Sequence, residues 1–313
     1  MAHRQWLRSL KLTIKGKSSS VAITDLAIEF DVTKGIGSKP NPATIKVTNL
    51  SKDTRNRLGR ELDELELEAG YEGGAIDIIY KGYVRDVVST HGQRWSTGKN
   101  EKKEGGGKSA GTKPEADIVT TITCGDGDKA YKEGICSKTF PASTKPKEIV
   151  DYLSGEMPGT TKGKIKGLDD LPAYKRPVTV FGSTADELDK LGREHKFYWS
   201  IQDGQFEAVK NDQSHNETIK LNKDSGMIGF PSVTDKGIEL VALLNPKIKP
   251  GRIIDVESGF IDQGNQQQRG STDDGGGLFR VSECQFTGGN RKNDYYVKIK
   301  ALRVQGKKVV DEK

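Results

Sequence analysis

The sequence predicts a mainly β fold with a small α+β module in the middle of the chain. Segments that alternate apolar and polar residues lie near both ends, for example residues 26–32 and 238–244, and a period of two is typical of half-buried strands. Glycine is frequent, with 37 among 313 residues and no collagen-like period, and Gly and Pro are the residues at which strands end or bend. A chain of this length accommodates two or three domains.

The first strand-rich region, residues 1–124, is predicted to form a small β-barrel domain. Alternating segments predict strands at residues 10–14, 26–32, 44–50, 63–69, 75–80 and 83–88. Ser51 is a suitable N-cap for a short helix through Leu58, which Gly59 would end. The phrase Tyr80-Lys81-Gly82 predicts a break between the last two of these strands.

Residues 92–116 differ in composition from the strands around them. They contain Gly105-Gly106-Gly107 and five lysines without apolar periodicity, so they bury too little surface to offset the entropy of ordering. We therefore expect a long flexible loop. Because the segments at 83–90 and 118–124 suit a hairpin, this loop is predicted to form the tip of that hairpin and not a linker between domains.

Residues 125–212 are predicted to form the α+β module. The phrase Thr144-Lys145-Pro146 predicts the start of one helix, since Pro is favoured in a first helical turn. Thr184 and Glu187 have the spacing of a capping box at the start of a second helix. Aromatic and aliphatic residues flank Asp203-Gly204, a dipeptide that favours a two-residue hairpin turn.

Residues 213–304 are predicted to form a second β-barrel domain. Strands are expected at residues 238–244, 253–258, 278–286 and 295–304. A Gln-, Gly- and Asp-rich exposed loop is expected at 260–277, and residues 305–313 form a charged C-terminal tail. No repeat is apparent in the sequence, but the strand-rich regions at both ends leave room for two related barrels.

The composition argues against several classes of protein. The net charge is +6, but 50 basic residues are interleaved with 44 acidic ones, as on an ordinary solvated surface. The odd cysteine count (Cys124, Cys136 and Cys284) and the lack of a C-x-x-C pair indicate neither a disulfide framework nor a zinc knuckle. The first residues lack the apolar run of a signal peptide, and no stretch reaches the ~18–20 apolar residues of a membrane span. We therefore expect a soluble protein without a membrane partner.

Two phrases resemble ligand-binding loops but lack the required spacing. Gly107-Lys108-Ser109 matches the end of a phosphate loop, yet Lys102 stands where the first glycine is needed. Asp126-Gly127-Asp128 matches the start of a calcium loop, yet Ser137 stands where a carboxylate is needed. The second phrase is instead predicted to be a turn at a strand end.

The candidate acid, base and metal-binding side chains are scattered. His3, His91, His195 and His215 show no metal-ligand spacing, and His195 is expected at the end of a helix. Several carboxylates are candidates for acid–base chemistry, but nothing in the sequence places two of them in one pocket: Asp169, Asp170, Asp186, Glu187 and Asp189. The sequence therefore predicts no catalytic residue, no cofactor and no metal site.

Three longer phrases, in order along the chain, are similar to those of bacteriophage baseplate hub and tail-hub proteins, the adaptors between tail tube and central spike. They are Ala69-Gly70-Tyr71 with Tyr80-Lys81-Gly82, then residues 121–131, then residues 226–231 leading to 243–251. The resemblance covers most of the chain. It implies that the two barrels are tube-like domains and that the protein is structural, not an enzyme.

The resemblance also implies an assembly. A homotrimer would form a six-fold-like ring that lines the DNA ejection channel, with the tail tube or distal tail proteins on one face and the spike on the other. DNA would be passing cargo, and loop 92–116 would contact other baseplate proteins. The location would be the tail baseplate of the virion, after assembly in the bacterial cytoplasm. Hub channels are commonly acidic, whereas this chain is net basic, so acidic residues are expected to concentrate on the channel face.

Two alternatives remain open at this stage. A cell-wall hydrolase fused to a tail scaffold would need a catalytic group in the module, where Glu187, Glu194, His195 and His215 are the available side chains. A basic nucleic-acid-binding protein is suggested by charge alone, and the basic loop lacks the interleaved aromatic residues that stack on bases.

Overall fold

The computed structural model describes residues 7–16, 19–58, 64–91, 117–215, 217–234, 237–258, 276–305 and 308–309. Strands dominate these residues, and helices are few and short. The prediction of a mainly β fold is therefore confirmed. The predicted loop 92–116 lies outside the described residues, as does the predicted loop 260–277 apart from its last two residues.

The N-terminal part of the chain forms seven strands and one short helix, which we call the first strand set. The elements are β1 (Arg8–Lys15), β2 (Ser20–Ile23), β3 (Ile28–Gly35), β4 (Pro42–Thr48), α1 (Lys52–Arg57), β5 (Glu64–Tyr71), β6 (Ile76–His91) and β7 (Ile118–Gly125). Ser51 caps α1 as predicted, because its side chain accepts a hydrogen bond from the Thr54 backbone N–H at 3.1 Å. The predicted hairpin around residues 92–116 is confirmed up to its last described pair, His91 opposite Ile118.

The predicted break at Tyr80-Lys81-Gly82 is wrong, since β6 runs through it without interruption. Gly82 is needed for a close approach and not for a turn. A Cβ at this position would lie 2.8 Å from the Gly125 carbonyl oxygen and 2.7 Å from the Tyr80 hydroxyl. The strand bends instead at a β-bulge at Ile79, where one extra residue is inserted opposite β5.

The middle of the chain forms three helices and five strands, which we call the module. The elements are α2 (Asp128–Glu133), β8 (Ile135–Phe140), α3 (Pro146–Gly155), β9 (Thr161–Lys166), β10 (Val178–Ser183), α4 (Thr184–His195), β11 (Phe197–Gln202) and β12 (Gln205–Lys210). The side chains of these elements enclose a separate hydrophobic core in which Trp199 and Phe206 stack.

The two helices predicted for the module, α3 and α4, start within a residue of the prediction, but their caps differ from it. The N-cap of α3 is Lys145, which makes no side-chain cap, and the Thr144 hydroxyl donates to the Pro141 carbonyl instead. The N-cap of α4 is Ser183, whose hydroxyl accepts from the Asp186 backbone N–H, so the predicted Thr184 capping box is wrong. The predicted hairpin turn is confirmed, with positive φ at Asp203 and Gly204.

The C-terminal part forms seven strands, which we call the second strand set. The elements are β13 (Thr218–Leu221), β14 (Met227–Thr234), β15 (Gly237–Leu243), β16 (Ile253–Val256), β17 (Gly277–Gly289), β18 (Tyr295–Gln305) and β19 (Lys308–Val309). A short 3-10 turn, Lys223–Ser225, separates β13 from β14.

The two strand sets have the same strand order. In the first set, neighbours follow the order β3-β4-β7-β6-β5-β1, and in the second they follow β14-β15-β18-β17-β16-β13. Each of these strands therefore has a counterpart at the same place in sequence order and in the sheet, whereas β2 and β19 have none. The core reflects this arrangement, because one hydrophobic cluster contains residues of both strand sets.

The register of the two sets also agrees. Between β6 and β7 one extra residue, Arg85, is inserted, and Ser282 is inserted at the corresponding place between β17 and β18. With these bulges aligned, buried Leu65 and Leu67 on β5 correspond to buried Ile254 and Val256 on β16. The duplication is thus visible in backbone pairing and burial, although the side chains differ.

The departures from the duplication are local, and one of them is β19, which pairs with the end of β18 and has no counterpart in the first set. β1 pairs antiparallel with β5, whereas β13 pairs parallel with β16. β2 extends the first set beyond β1. β14 carries a bulge that β3 lacks, since three residues, 229–231, lie between its paired segments.

Candidate assembly site

The two strand sets are joined edge to edge within one chain. β3 of the first set pairs antiparallel with the second half of β17, from Gly35 opposite Glu283 to Glu29 opposite Gly289. We call this pairing the internal junction. It turns the two sets into a single sheet of 14 strands.

Side chains reinforce the internal junction on both faces of the sheet. Val32 and Phe286 lie opposite one another and are fully buried. On the other face, the Asp31 carboxylate accepts hydrogen bonds from Gln285 Nε2 at 2.9 Å and from the Thr287 hydroxyl at 3.2 Å. The junction therefore combines a backbone ladder, an apolar pair and charge-assisted hydrogen bonds.

The module inserts its β11–β12 turn beside this junction. Lys34, on β3, is completely buried and forms an ion pair with Asp203 at the tip of the turn. Lys249 Nζ lies 2.9 Å from the other Asp203 carboxylate oxygen. The Asp126 carboxyl accepts hydrogen bonds from the backbone N–H groups of Asp203 and Gly204, at 2.7 Å and 3.1 Å.

The two carboxyl groups at this site have opposite pKa shifts. Burial, together with the charge of Asp203, raises the pKa of Asp126 to about 8. Burial would also raise the pKa of Asp203, but Lys34 and Lys249 hold it below its usual value. Asp203 is therefore the ionised partner of both lysines, and the Asp126 carboxyl acts as an anchor for the turn.

A second buried ion pair joins the module to the second strand set. Arg252, directly before β16, donates from Nη2 to Glu207 Oε1 on β12 at 2.7 Å, and both side chains are 5% exposed. Arg252 Nε also donates to Glu217 at 3.2 Å. His215 Nε2 lies 3.6 Å from Glu207, and burial lowers the pKa of His215 to about 4.

These contacts fix the module against both strand sets at the internal junction. Further hydrogen bonds join backbone and side chains across the same boundary: Gln202 Nε2 to the Gly35 carbonyl, Asn41 Nδ2 to the Ile201 carbonyl, and Arg280 Nη1 to the Asn211 carbonyl. Buried charged groups that pair in this way specify one relative arrangement of the parts.

Several strand edges meet no other strand among the described residues, and two of them lie in the strand sets and expose apolar side chains. One is the outer edge of β14, whose Ile228, Phe230 and Val233 are exposed. The other is the second half of β6 beyond the end of β5, where Val88 is exposed. We call them the β14 edge and the β6 edge. Unpaired edges with exposed apolar residues are typical sites of strand addition by another chain.

The residues that the sequence suggested as ligand-binding or catalytic are placed in structural roles. Asp126-Gly127 is a turn at the end of β7, as predicted, and Asp128, the first residue of α2, forms a bidentate ion pair with Arg85. Gly107-Lys108-Ser109 lies outside the described residues, as does His3. Over the ranges that the structure describes, no group of three or more His, Cys, Asp or Glu side chains is arranged to hold a metal ion.

The four candidate residues of the hydrolase alternative do not form one site: Glu194 Oε1 lies 3.6 Å from His195 Nε2, but Glu187 and His215 lie elsewhere. His195 lies at the end of α4, as predicted, and its Nε2 contacts the Tyr174 hydroxyl at 2.6 Å. Glu187 pairs with Lys190 on the helix surface, whereas His215 packs beside Glu207 at the other boundary of the module.

Other predicted acid–base candidates also have structural partners. Asp189 accepts from Trp199 Nε1 at 2.8 Å, and Asp169 pairs with Lys147. The residues that sequence reasoning missed are Lys34, Glu207 and Arg252. The sequence shows that these charged residues lie within strands or next to Pro250-Gly251, but their ion-pair partners are far away along the chain.

The arrangement of strand sets and module is shared with solved tail proteins. One is c3393, a component of the E. coli type VI secretion system that is described as structurally similar to the T4 tail proteins gp27 and gp5. It matches with a TM-score of 0.61 and 10% identity over 97% of this chain and 79% of that one. The 43 kDa tail protein of prophage MuSo2 from Shewanella oneidensis matches with a TM-score of 0.59 and 9% identity over 96% and 99% of the two chains. A tail protein from Neisseria meningitidis MC58 gives a TM-score of 0.57 and 9% identity over 96% and 98%.

The fold is thus that of phage tail-hub proteins. The family model described as "Baseplate hub gp41" matches residues 9–268. The chain belongs to this baseplate hub family, as the resemblance predicted, and no curated protein matches its sequence.

Family membership establishes the general role. The protein is a structural component of a bacteriophage tail baseplate, located in the virion tail, and it is not an enzyme. None of the described helices has the length and apolar content needed to cross a lipid bilayer.

Proposed function

We propose that three copies of this chain form a ring that joins the tail tube to the central spike and lines the channel for DNA ejection. The observation that carries the proposal is the duplication of the strand set within one chain and the edge-to-edge pairing of the two sets. Three such chains present six strand sets, which suits a six-fold tube on one face, while the single module of each chain keeps a three-fold arrangement for a spike on the other.

The relatives support this choice of partners. The c3393 protein is described as similar to gp27 and gp5 of the T4 tail, and a PdpA–VgrG complex has a TM-score of 0.51 with this chain. A heterologous contact between unlike edges closes into a ring when its rotation permits. The β14 and β6 edges are unlike edges of this kind.

The remaining parts of the proposal follow from this assembly. Residues 1–124 and 213–304 act as the tube-like barrel domains and residues 125–212 as an outer module. The charged C-terminal tail, residues 305–313, is docked in part, because Lys308–Val309 pairs as β19 with the end of β18. Loop 92–116 contacts other baseplate proteins. DNA passes through the channel without specific binding, and the ring assembles in the host cytoplasm before it joins the tail.

The test is the absolute mass of the purified protein by light scattering, followed by negative-stain imaging of the same fraction. We expect a mass three times that of the 34.3 kDa chain and ring-shaped particles with a central hole. A protein that stays monomeric alone and also when mixed with its tube and spike proteins would contradict the proposal.

A further inference from the structure

We propose that neighbouring copies join by pairing the β14 edge of one chain with the β6 edge of the next, in the register of the internal junction. This inference rests on the proposed ring, and it specifies which strands and residues form the contact between copies. The occupant of each edge is thus a second copy of this chain.

β6 and β17 occupy corresponding positions in the two strand sets. With the Arg85 and Ser282 bulges aligned, Ser89 corresponds to Phe286 and Thr90 to Thr287. β17 uses this half of the strand to pair with β3. The corresponding half of β6 pairs with β7 on one side, and its other side meets no described strand.

β14 and β3 also occupy corresponding positions in the two strand sets. β14 pairs with β15 as β3 pairs with β4, so Ser232 corresponds to Asp31 and Val233 to Val32. β3 has a strand on each side, β4 and β17, whereas β14 has only β15 among the described residues. β3 pairs with β17, and the counterpart of β17 in the first strand set is β6. The strand that β14 lacks as a partner is therefore β6.

The register of the internal junction predicts the register of the contact between copies. In the internal junction the three central pairs are Gln285 with Thr33, Phe286 with Val32, and Thr287 with Asp31. The equivalences convert these into pairs between copies: Val88 with Thr234, Ser89 with Val233, and Thr90 with Ser232.

The exposure of these residues agrees with a missing partner. Val32 is 0% exposed inside the internal junction, whereas its counterpart Val233 is 50% exposed, and Val88 is 48% exposed. The β14 segment from Met227 to Thr234 carries no charge, although charged side chains are a common protection of edge strands. Burial of these side chains against a second copy removes apolar surface from water.

Pro231 limits the length of the contact. It lacks a backbone N–H and lies in the bulge of β14, so ladder pairing is expected at residues 232–234 and not across 229–231. The contact between copies is therefore shorter than the internal junction, and it lacks the module turn that reinforces the internal one.

The test is disulfide cross-linking of paired cysteine variants in the full chain. Directly opposed residues have Cα atoms about 4.5–5.5 Å apart, within the range that a disulfide requires. Thr90→Cys with Ser232→Cys and Ser89→Cys with Val233→Cys are adjacent pairs, so one of them is a non-hydrogen-bonded pair with the closer spacing. The native cysteines give little background, because burial raises the pKa of Cys124 and of Cys284 to about 12 and also raises that of Cys136.

Two control pairs calibrate the cross-linking. Asp31→Cys with Thr287→Cys is the internal equivalent and should form a disulfide within one chain. Thr90→Cys with Thr234→Cys is displaced by two residues, at about 7–8 Å, and should react poorly.

We expect the two in-register pairs to give covalent dimers and trimers on a non-reducing gel, at least tenfold more than the displaced pair, with no species beyond the trimer. A trimer by light scattering without these cross-links would overturn this interface and leave the ring intact. Absence of both trimer and cross-links, also in a mixture with the tube and spike proteins and with the internal control pair oxidised, would overturn the ring as well.

A second variant tests the interface without disulfide cross-linking. Val233→Lys places a charge where the partner strand would lie, but the side chain is already half exposed in the single chain. We expect an unchanged circular dichroism spectrum and thermal midpoint for the monomer, and at least a tenfold weaker trimer by light scattering. A trimer of unchanged stability would contradict the proposal.

Discussion

The Arg252–Glu207 ion pair should be essential for holding the module on the second strand set. We consider Glu207→Gln, which keeps the size of the side chain and removes its charge. In the native protein both side chains are 5% exposed and share two contacts. The variant leaves the Arg252 guanidinium buried with only Glu217 as an anionic partner, and Glu217 is itself 53% exposed.

The expected cost follows from this geometry. Removal of one partner of a buried ion pair costs about 3–5 kcal/mol, because the other charge remains buried without compensation. Glu217 still accepts from Arg252 at 3.2 Å, so we expect the lower end, about 3 kcal/mol of unfolding free energy. Glu217→Gln removes a half-exposed partner of the same arginine and should cost at most about 1 kcal/mol.

The assay is urea unfolding followed by Trp fluorescence, since Trp199 lies in the module core. Equal slopes and a lower midpoint would indicate lost stability and not a changed denatured state. A double variant, Glu207→Leu with Arg252→Met, should recover most of the loss, because it leaves no buried charge unpaired. The reasoning would be refuted if Glu207→Gln and Glu217→Gln had the same midpoint.

Two further perturbations test other parts of the structure. Because the pKa of His215 is about 4 in the folded protein and 6.5 ordinarily, its contribution to stability is complete above pH 6.5 and declines as the pH falls towards 4. About 2 kcal/mol of unfolding free energy should be lost between pH 7 and pH 5. His215→Gln should reduce that loss in urea titrations, whereas His91→Gln, at an exposed position, should leave it unchanged. Gly82→Ala should cost about 1–3 kcal/mol of unfolding free energy through overpacking, whereas Gly37→Ala, with nothing within 4 Å of the added Cβ, should leave the thermal midpoint within about a degree or two.

Local features were predictable where the chemistry of a few neighbouring residues decides the structure. Asp203-Gly204 specifies its hairpin because both residues adopt positive φ. Ser51 specifies a helix start through one hydrogen bond. The sequence also favoured strands at both ends, because half-buried strands alternate polar and apolar residues.

Features that depend on distant partners were not predictable in this way. Lys34 lies on the core-facing side of β3, where the alternation predicts an apolar residue, and its burial depends on Asp203, 169 residues away. The uninterrupted β6 conflicts with the usual meaning of Lys81-Gly82, because a close backbone approach also requires glycine. The duplication of the strand sets escaped detection since it resides in hydrogen-bond register and burial, which different side chains can satisfy equally well.

The internal junction has a consequence for the order of folding. Asp31 and Thr287, which meet there, are 256 residues apart, so β3 is synthesised long before its partner and such non-local pairing forms slowly. During this interval β3 has an open edge that the β17 of another nascent chain fits equally well, which is the condition for domain swapping. The Lys34–Asp203 ion pair forms only when the module of a chain reaches the junction. It therefore favours closure onto the chain's own strand, and chains in which this step fails are expected to form domain-swapped oligomers.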